Sequence, residues 1–195
     1  MTLQAGAVSR PIAGAFEGIS PESYKFFQDY VYRESGIVLE DDKHYLLQAR
    51  LMPILKKEQF KTIDDLCLAP RTGTPDLKRR VVEAMTTNET LFFRDPAIFE
   101  ALKSTIIPTL MTQRAGIKRL CFWSAAASSG QEAYSLAMLL LEMGLPAQGW
   151  SIQIVGTDLS DHILDRARQA RYMQIEVNRG PPAPYPVRSS SKQGL

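Results

Sequence analysis

Cysteine and histidine are scarce in this chain, with two of each among 195 residues. Cys67 and Cys121 stand far apart, which excludes a disulfide framework or a cysteine-based zinc site and makes a reducing cytoplasm the default. Neither His44 nor His162 has a partner at metal-ligand spacing, so no metal site is expected, and both read as solvated surface residues. Charge of one sign is also lacking. The 23 basic and 21 acidic residues leave +2, too little for a nucleic-acid binder. No apolar run approaches the roughly 20 residues of a membrane span, and Met1 to Ser20 lacks the charged-then-apolar order of a signal peptide. What remains is 45% hydrophobic and 23% charged, the mix of a soluble globular protein of one domain or two small ones.

Residues 1–19 are small and unpatterned and read as a flexible leader. Ser20-Pro21-Glu22 writes a helix start, with a capping serine, a first-turn proline and an acid at the positive dipole end. Tyr24, Phe27 and Val31 follow at helical spacing, and Gly36 supplies a stop. A second start at Asp41-Asp42 leads to Leu47, Leu51 and Leu55, with Pro53 expected to kink or split the helix. Thr62 to Asp65 resembles a capping box. Thr74-Pro75-Asp76 opens a fourth helix over Leu77, Val81 and Ala84 or Met85. Residues 20–86 therefore read as an all-helical domain.

Thr86 to Thr90 is a polar loop leading to Leu91-Phe92-Phe93-Arg94, whose phenylalanines read as core. Asp95-Pro96 begins a helix with Ile98, Leu102 and Ile106 on one face, restarted at Pro108. From Lys118 the pattern changes. Arg119 to Trp123 reads as a buried strand, Ser124 to Gly130 as a small-residue turn, and Gln131 to Met143 as a helix. Ser151 to Val155 is a second buried strand ending in Gly156-Thr157-Asp158, and Asp161 to Tyr172 a further helix. This order is the front of a doubly wound α/β sheet. Residues 87–178 thus form a linker and a partial α/β domain, incomplete at the C-terminus. The expected tail, 179–195, is proline- and serine-rich and irregular. With so few strands, Leu120, Phe122, Ile152 and Ile154 are expected to face water.

In such a sheet a ligand sits at the carboxyl ends of the strands. The turn after the first strand is nearly all Ala, Ser and Gly, so backbone can approach a ligand closely. It holds one glycine where a dinucleotide fingerprint has three, which disfavours NAD. Glu132 suits a ligand carrying positive charge, and Asp158 suits ribose hydroxyls. S-adenosylmethionine offers both and lacks a pyrophosphate. Each acid also has a plain structural reading: Glu132 as complement to a helix dipole, Asp158 as cap of the following helix.

The run Thr86-Thr87-Asn88-Glu89-Thr90-Leu91-Phe92-Phe93-Arg94 resembles the TTNxTxFFR signature of the chemotaxis receptor methyltransferases of CheR type. Trp123 to Ser135 is similar to their cofactor loop, WSAACSTGEEPYS, with Gln131 and Ala133 in place of Glu and Pro. Gly156 to Ser160 resembles their second strand end, and Arg171-Tyr172 with Asn178-Arg179-Gly180 continues in register. The resemblance covers residues 20–180 and implies a Rossmann-like S-adenosylmethionine-dependent protein-glutamate O-methyltransferase behind an N-terminal helical domain. It places Asn88, Thr90, Arg94, Glu132 and Asp158 against the cofactor, with Arg94 also a catalytic candidate. It implies chemoreceptor cytoplasmic domains as the protein substrate, cytoplasmic localisation and a monomer. Arg50, Lys56, Lys57 and Lys61 form a modest receptor-facing patch that a solvated face explains equally well.

Family members continue with further strands, one carrying an asparagine that contacts the cofactor, and with a small β subdomain. The motifs stop at Gly180, so a C-terminally truncated enzyme is expected. The alternative is a non-catalytic receptor- or partner-binding module left by truncation. Cofactor binding separates the two.

Overall fold

The structure, a computed structural model, describes residues 19–178. The expected tail and all of the expected leader except Ile19 lie outside the described residues. Ile19 does not behave as leader: it is buried in the helical core together with Tyr24. The two occupy the positions of a hydrophobic staple around the Ser20 cap. The chain divides into two compact units, Met1–Thr86 and Thr87–Leu195.

Among the described residues the first unit holds four helices, α1 (Pro21–Ser35), α2 (His44–Glu58), α3 (Ile63–Thr72) and α4 (Pro75–Ala84). The starts of α1, α3 and α4 follow the chemistry written in the sequence. Ser20 Oγ accepts the Ser23 N–H at 3.2 Å, and Gly36 closes α1 at φ +74°. Thr62 and Asp65 make a reciprocal capping box at 3.0 Å in each direction, and Thr74 Oγ1 caps α4 through Leu77 N–H. Asp64 of α3 reaches back to accept both the Ser20 N–H and its hydroxyl, at 3.1 and 3.0 Å. Phe27, Val31, Leu47, Leu51, Leu66 and Val81 fill the core.

Two expectations fail here and a third is narrowed. Helix α2 begins at His44 rather than Asp41, because the preceding segment is tied to α1: Gln28 donates to the Leu39 carbonyl at 2.7 Å and to Asp41 Oδ1 at 2.9 Å. His44 is not a solvated surface residue, since its ring stacks on Tyr24 at 3.7 Å between centroids. Pro53 does not split α2, whose flanking Leu51, Ile54 and Leu55 are all buried; their packing offsets one missing backbone hydrogen bond.

The second unit opens with α5 (Pro96–Ala101), which runs through a π-turn at Leu102–Ile106 into α6 (Ile107–Gln113). The wide turn rotates the apolar face. Ile98 and Ile106 are exposed, and Phe99, Leu102, Ile107, Leu110 and Met111 make the contacts instead. Strand β1 (Arg119–Ala125) pairs in parallel with β2 (Ser151–Thr157), with Leu120 opposite Ile152 and Ser124 opposite Gly156. Helix α7 (Gln131–Glu142) makes the crossover, and α8 (Asp161–Gln169) and α9 (Gln174–Asn178) follow β2.

The strands are not buried on both sides. Leu120 is buried, and Phe122, Ile152 and Ile154 are half-buried against Ile107, Leu139, Leu140, Leu145 and Trp150. These are the side chains expected to face water. The face left open is the other one, where Cys121, Trp123 and Val155 are exposed. Period-two alternation assigns opposite fates to neighbouring residues, and α7 with the α5–α6 segment covers one face among the described residues. The observed class is therefore an all-helical unit followed by two parallel strands with helices, a partial Rossmann-like arrangement.

Candidate functional site

The loop between β1 and α7 is built on unusual backbone. Ala126, Ser128 and Gly130 take φ values of +58°, +50° and +95°. A non-glycine residue there costs of order 1 kcal/mol and persists only when its surroundings fix it. The surroundings do so. Ala127 N–H donates to the Thr157 carbonyl at 2.8 Å, and Gly130 N–H to the Ala127 carbonyl at 2.9 Å. Ser128 N–H donates to Asp158 Oδ2 at 2.9 Å. Small side chains are demanded at two positions: a Cβ on Gly156 would lie 3.0 Å from Ala127 Cβ, and one on Gly130 would lie 3.1 Å from Ala167, Tyr134 and Tyr172 atoms.

Asp158 is half-buried just beyond the end of β2. Its second oxygen accepts the Ser160 N–H at 3.0 Å, while Ser160 Oγ itself caps α8 through Ile163 N–H. The cap reading of Asp158 is therefore superseded, because the neighbouring serine caps the helix. Each carboxylate oxygen keeps a lone pair for a hydroxyl brought in by a ligand. Glu132 is exposed in the first turn of α7, and the buried Ser124 donates its hydroxyl to Glu132 Oε1 at 2.7 Å. That hydrogen bond leans the acid toward the end of β1 as well as placing it at the positive helix end.

The polar loop at 86–91 meets the same site through its backbone. Ser128 Oγ donates to the Asn88 carbonyl at 2.8 Å. Phe93 N–H donates to Ser135 Oγ at 2.9 Å, and Ser135 Oγ donates to the Gln131 carbonyl at 2.6 Å. Phe92 and Phe93 are buried with Val177, against Phe99, Tyr134, Met138 and Tyr172, as core. Phe93 takes φ +50°, which turns the chain so that Arg94 is exposed. Arg94 Nη1 donates to the Glu89 carbonyl at 3.3 Å, closing its own loop, and it is not brought to Glu132 or Asp158 by any hydrogen bond. Thr90 is half-buried in that loop.

The structure thus joins Asn88 and Asp158 through Ser128, holds Glu132 through Ser124, and leaves Arg94 on its own segment. Ser124, Ser128 and Ser135 organise these contacts, and residue chemistry alone does not single them out. Serines in a small-residue turn carry no signal of which backbone they will bind. Arg50 also departs from expectation. It donates to the carbonyls of Met85 and, at 3.1 Å, Thr86, so it satisfies the end of α4 instead of facing outward.

Two carboxylates beside the carboxyl ends of the strands and a loop without side-chain bulk fit S-adenosylmethionine. The absence of a multi-glycine phosphate cradle fits it too. Among the described residues no helix is long and apolar enough to cross a membrane, and no cluster of histidine, cysteine or carboxylate side chains could hold a metal.

Comparison with known proteins agrees. Residues 88–189 match the family described as CheR methyltransferase, SAM binding domain, and residues 22–86 match its all-alpha domain. The first match runs nine residues beyond Gly180, where the recognisable motifs stop. The chain is 40% identical over 165 residues to chemotaxis protein methyltransferase 1 of Vibrio cholerae, covering 83% of this chain and 59% of that protein. It is 39% identical over 160 residues to chemotaxis protein methyltransferase 1 of Pseudomonas aeruginosa, covering 80% and 58%. The chemotaxis protein methyltransferase of Borreliella burgdorferi is 33% identical over 152 residues, covering 75% and 53%. The chain thus spans less than three fifths of the length of these relatives. With both family domains present in order and the cofactor domain alone covering more than half of it, the chain belongs to the CheR methyltransferase family.

Proposed function

We propose that the protein to which this sequence belongs methylates glutamate side chains on the cytoplasmic domains of chemoreceptors, working in the cytoplasm as a monomer. S-adenosylmethionine, when bound, supplies an electrophilic methyl on a sulfonium. Asp158 accepts the ribose hydroxyls, and Glu132 complements the cofactor's positive charge. Asn88 and Thr90 line the site from the preceding loop. Arg94 orients a carboxylate, either the cofactor's or that of the incoming glutamate.

The acceptor needs no general base, because a glutamate carboxylate with a pKa of about 4.3 is already ionised at neutral pH. The work of these residues is positioning, and exclusion of the water that blunts the nucleophile. Residues 20–86 are proposed as the helical domain and 87–178 as linker and partial catalytic sheet. We read the chain itself as a fragment of such an enzyme.

The observation that carries this reading is Asp158, held by Ser128 and Ser160 N–H groups with a lone pair left on each oxygen. The test is transfer of labelled methyl from S-adenosylmethionine to a receptor cytoplasmic domain. Alkali-labile label on glutamate is expected, as a methyl ester gives. Alkali-stable label overturns the substrate class. Failure of the chain to bind the cofactor, with the helical unit still folded and holding receptor, favours a non-catalytic binding module.

A further inference from the structure

We infer that Tyr172 is a positioning residue for the β1–α7 loop, its hydroxyl fixing the backbone on which the Asp158 geometry depends. The inference rests on the S-adenosylmethionine reading of that loop. Tyr172 lies after α8, more than forty residues from the loop in sequence, yet its hydroxyl donates to the Ser129 carbonyl at 2.6 Å. Its ring is clamped edge-on against Phe92, at 4.9 Å and 79°, and against Tyr134, at 5.9 Å and 74°. Tyr134 in turn donates to the Ala167 carbonyl at 2.9 Å, which ties α7 to α8. One tyrosine therefore touches the 88–94 segment, the loop and α7 together.

The fit is mutual. A Cβ on Gly130 would lie 3.1 Å from the Tyr172 hydroxyl, so glycine leaves the space the hydroxyl occupies. Burial raises the Tyr172 pKa further above its ordinary range, so the hydroxyl stays a donor at any physiological pH. The hydroxyl acts between two left-handed residues, Ser128 and Gly130, where the loop departs furthest from relaxed backbone. Ser129 is buried, so its carbonyl is poorly served by water if the hydroxyl is removed. Freed at Ser129, the loop loses the restraint that keeps Ser128 N–H on Asp158.

The test is Tyr172→Phe in the 195-residue chain, which keeps the ring and deletes the donor. Amide hydrogen exchange is expected to quicken about tenfold at Ala127, Ser128 and Gly130, with Leu139 and Leu140 of α7 unchanged. Unchanged loop exchange overturns the proposal. Equal acceleration through α7 does so too, since it marks a merely structural tyrosine. In a second arm, calorimetry with S-adenosylhomocysteine is expected to show about tenfold weaker binding for Tyr172→Phe, with Asp158→Ala as reference. If Asp158→Ala abolishes binding while Tyr172→Phe leaves it intact, the role of Tyr172 is refuted. If Asp158→Ala has no effect, the reading of the site fails instead, and exchange alone decides Tyr172.

Discussion

Ser128 hands its backbone N–H to the Asp158 carboxylate at 2.9 Å across an interval of thirty residues. The left-handed φ of Ser128 aims that N–H out of the loop, so the strained backbone and the strand-end acid form one unit. Asp158 therefore serves two ends. It holds the loop through the Ser128 N–H and the start of α8 through the Ser160 N–H, and a lone pair remains on each oxygen.

Asp158→Ala is expected to abolish most S-adenosylmethionine affinity. Two hydrogen bonds from ribose hydroxyls to a charged acceptor are worth about 1.5–3 kcal/mol each. Asp158→Asn retains one acceptor oxygen and is expected to fall between Ala and the parent. Isothermal calorimetry decides the order, and equal affinity for all three proteins removes Asp158 from the site.

Gly130→Ala is expected to destabilise the second unit by about 2 kcal/mol, from positive-φ strain plus overpacking. The added methyl would press on Ala167 Cβ, Tyr134 Cε2 and the Tyr172 hydroxyl, all at 3.1 Å. Ala167 Cβ is fixed to its backbone and the two tyrosine rings are packed edge-on against each other, so the methyl meets little give. Urea unfolding with and without Tyr172→Phe checks this, since removing the hydroxyl should relieve part of the penalty.

Arg94→Ala is expected to depress methyl transfer far more than folding. The side chain is exposed and makes one long hydrogen bond, at 3.3 Å, to the Glu89 carbonyl. A surface change of that kind shifts stability by about 0.5 kcal/mol or less. Parallel losses of activity and thermal stability in a catalytically competent protein would make Arg94 a loop brace.

The Ser23 and Ser20 hydrogen bonds hold the Asp64 carboxyl below the usual carboxylate range. A carboxyl depressed in the fold stabilises it above the unfolded pKa, and that contribution is lost as pH falls through the folded value. Asp64→Asn is therefore expected to cost the helical unit about 0.5–1 kcal/mol at pH 7, small because the group is exposed to water. The difference should vanish near pH 2. Thermal melts of both proteins across that range supply the comparison, and a gap that persists in acid points to lost packing.

Local chemistry was legible wherever a side chain acts on its own neighbours. Ser20, Thr62 with Asp65, Thr74 and Gly36 each do what the sequence says, because a cap spans three or four residues. The motifs around Asn88, Gly130 and Asp158 were legible as a pattern, and two of them meet through Ser128. What escaped depends on distant partners. The start of α2 is set by Gln28 of α1, and Arg50 is set by the end of α4. The apolar stripe shifts between α5 and α6 at a π-turn that no residue type announces. The two strands read as uniformly apolar, yet alternation sends Leu120 inward and Trp123 outward.

That last contrast gives the protein a pair of optical reporters. Trp123 is 72% exposed, with its indole N–H on Thr157 Oγ1 at 3.0 Å, whereas Trp150 is 7% exposed. Their fluorescence should separate into a red-shifted component open to iodide quenching and a blue-shifted one shielded from it. Melting of the second unit then moves chiefly the shielded component. Anything that dries the outer side of β1 moves only the quenchable one, so folding and covering of the sheet can be followed separately in one unlabelled sample.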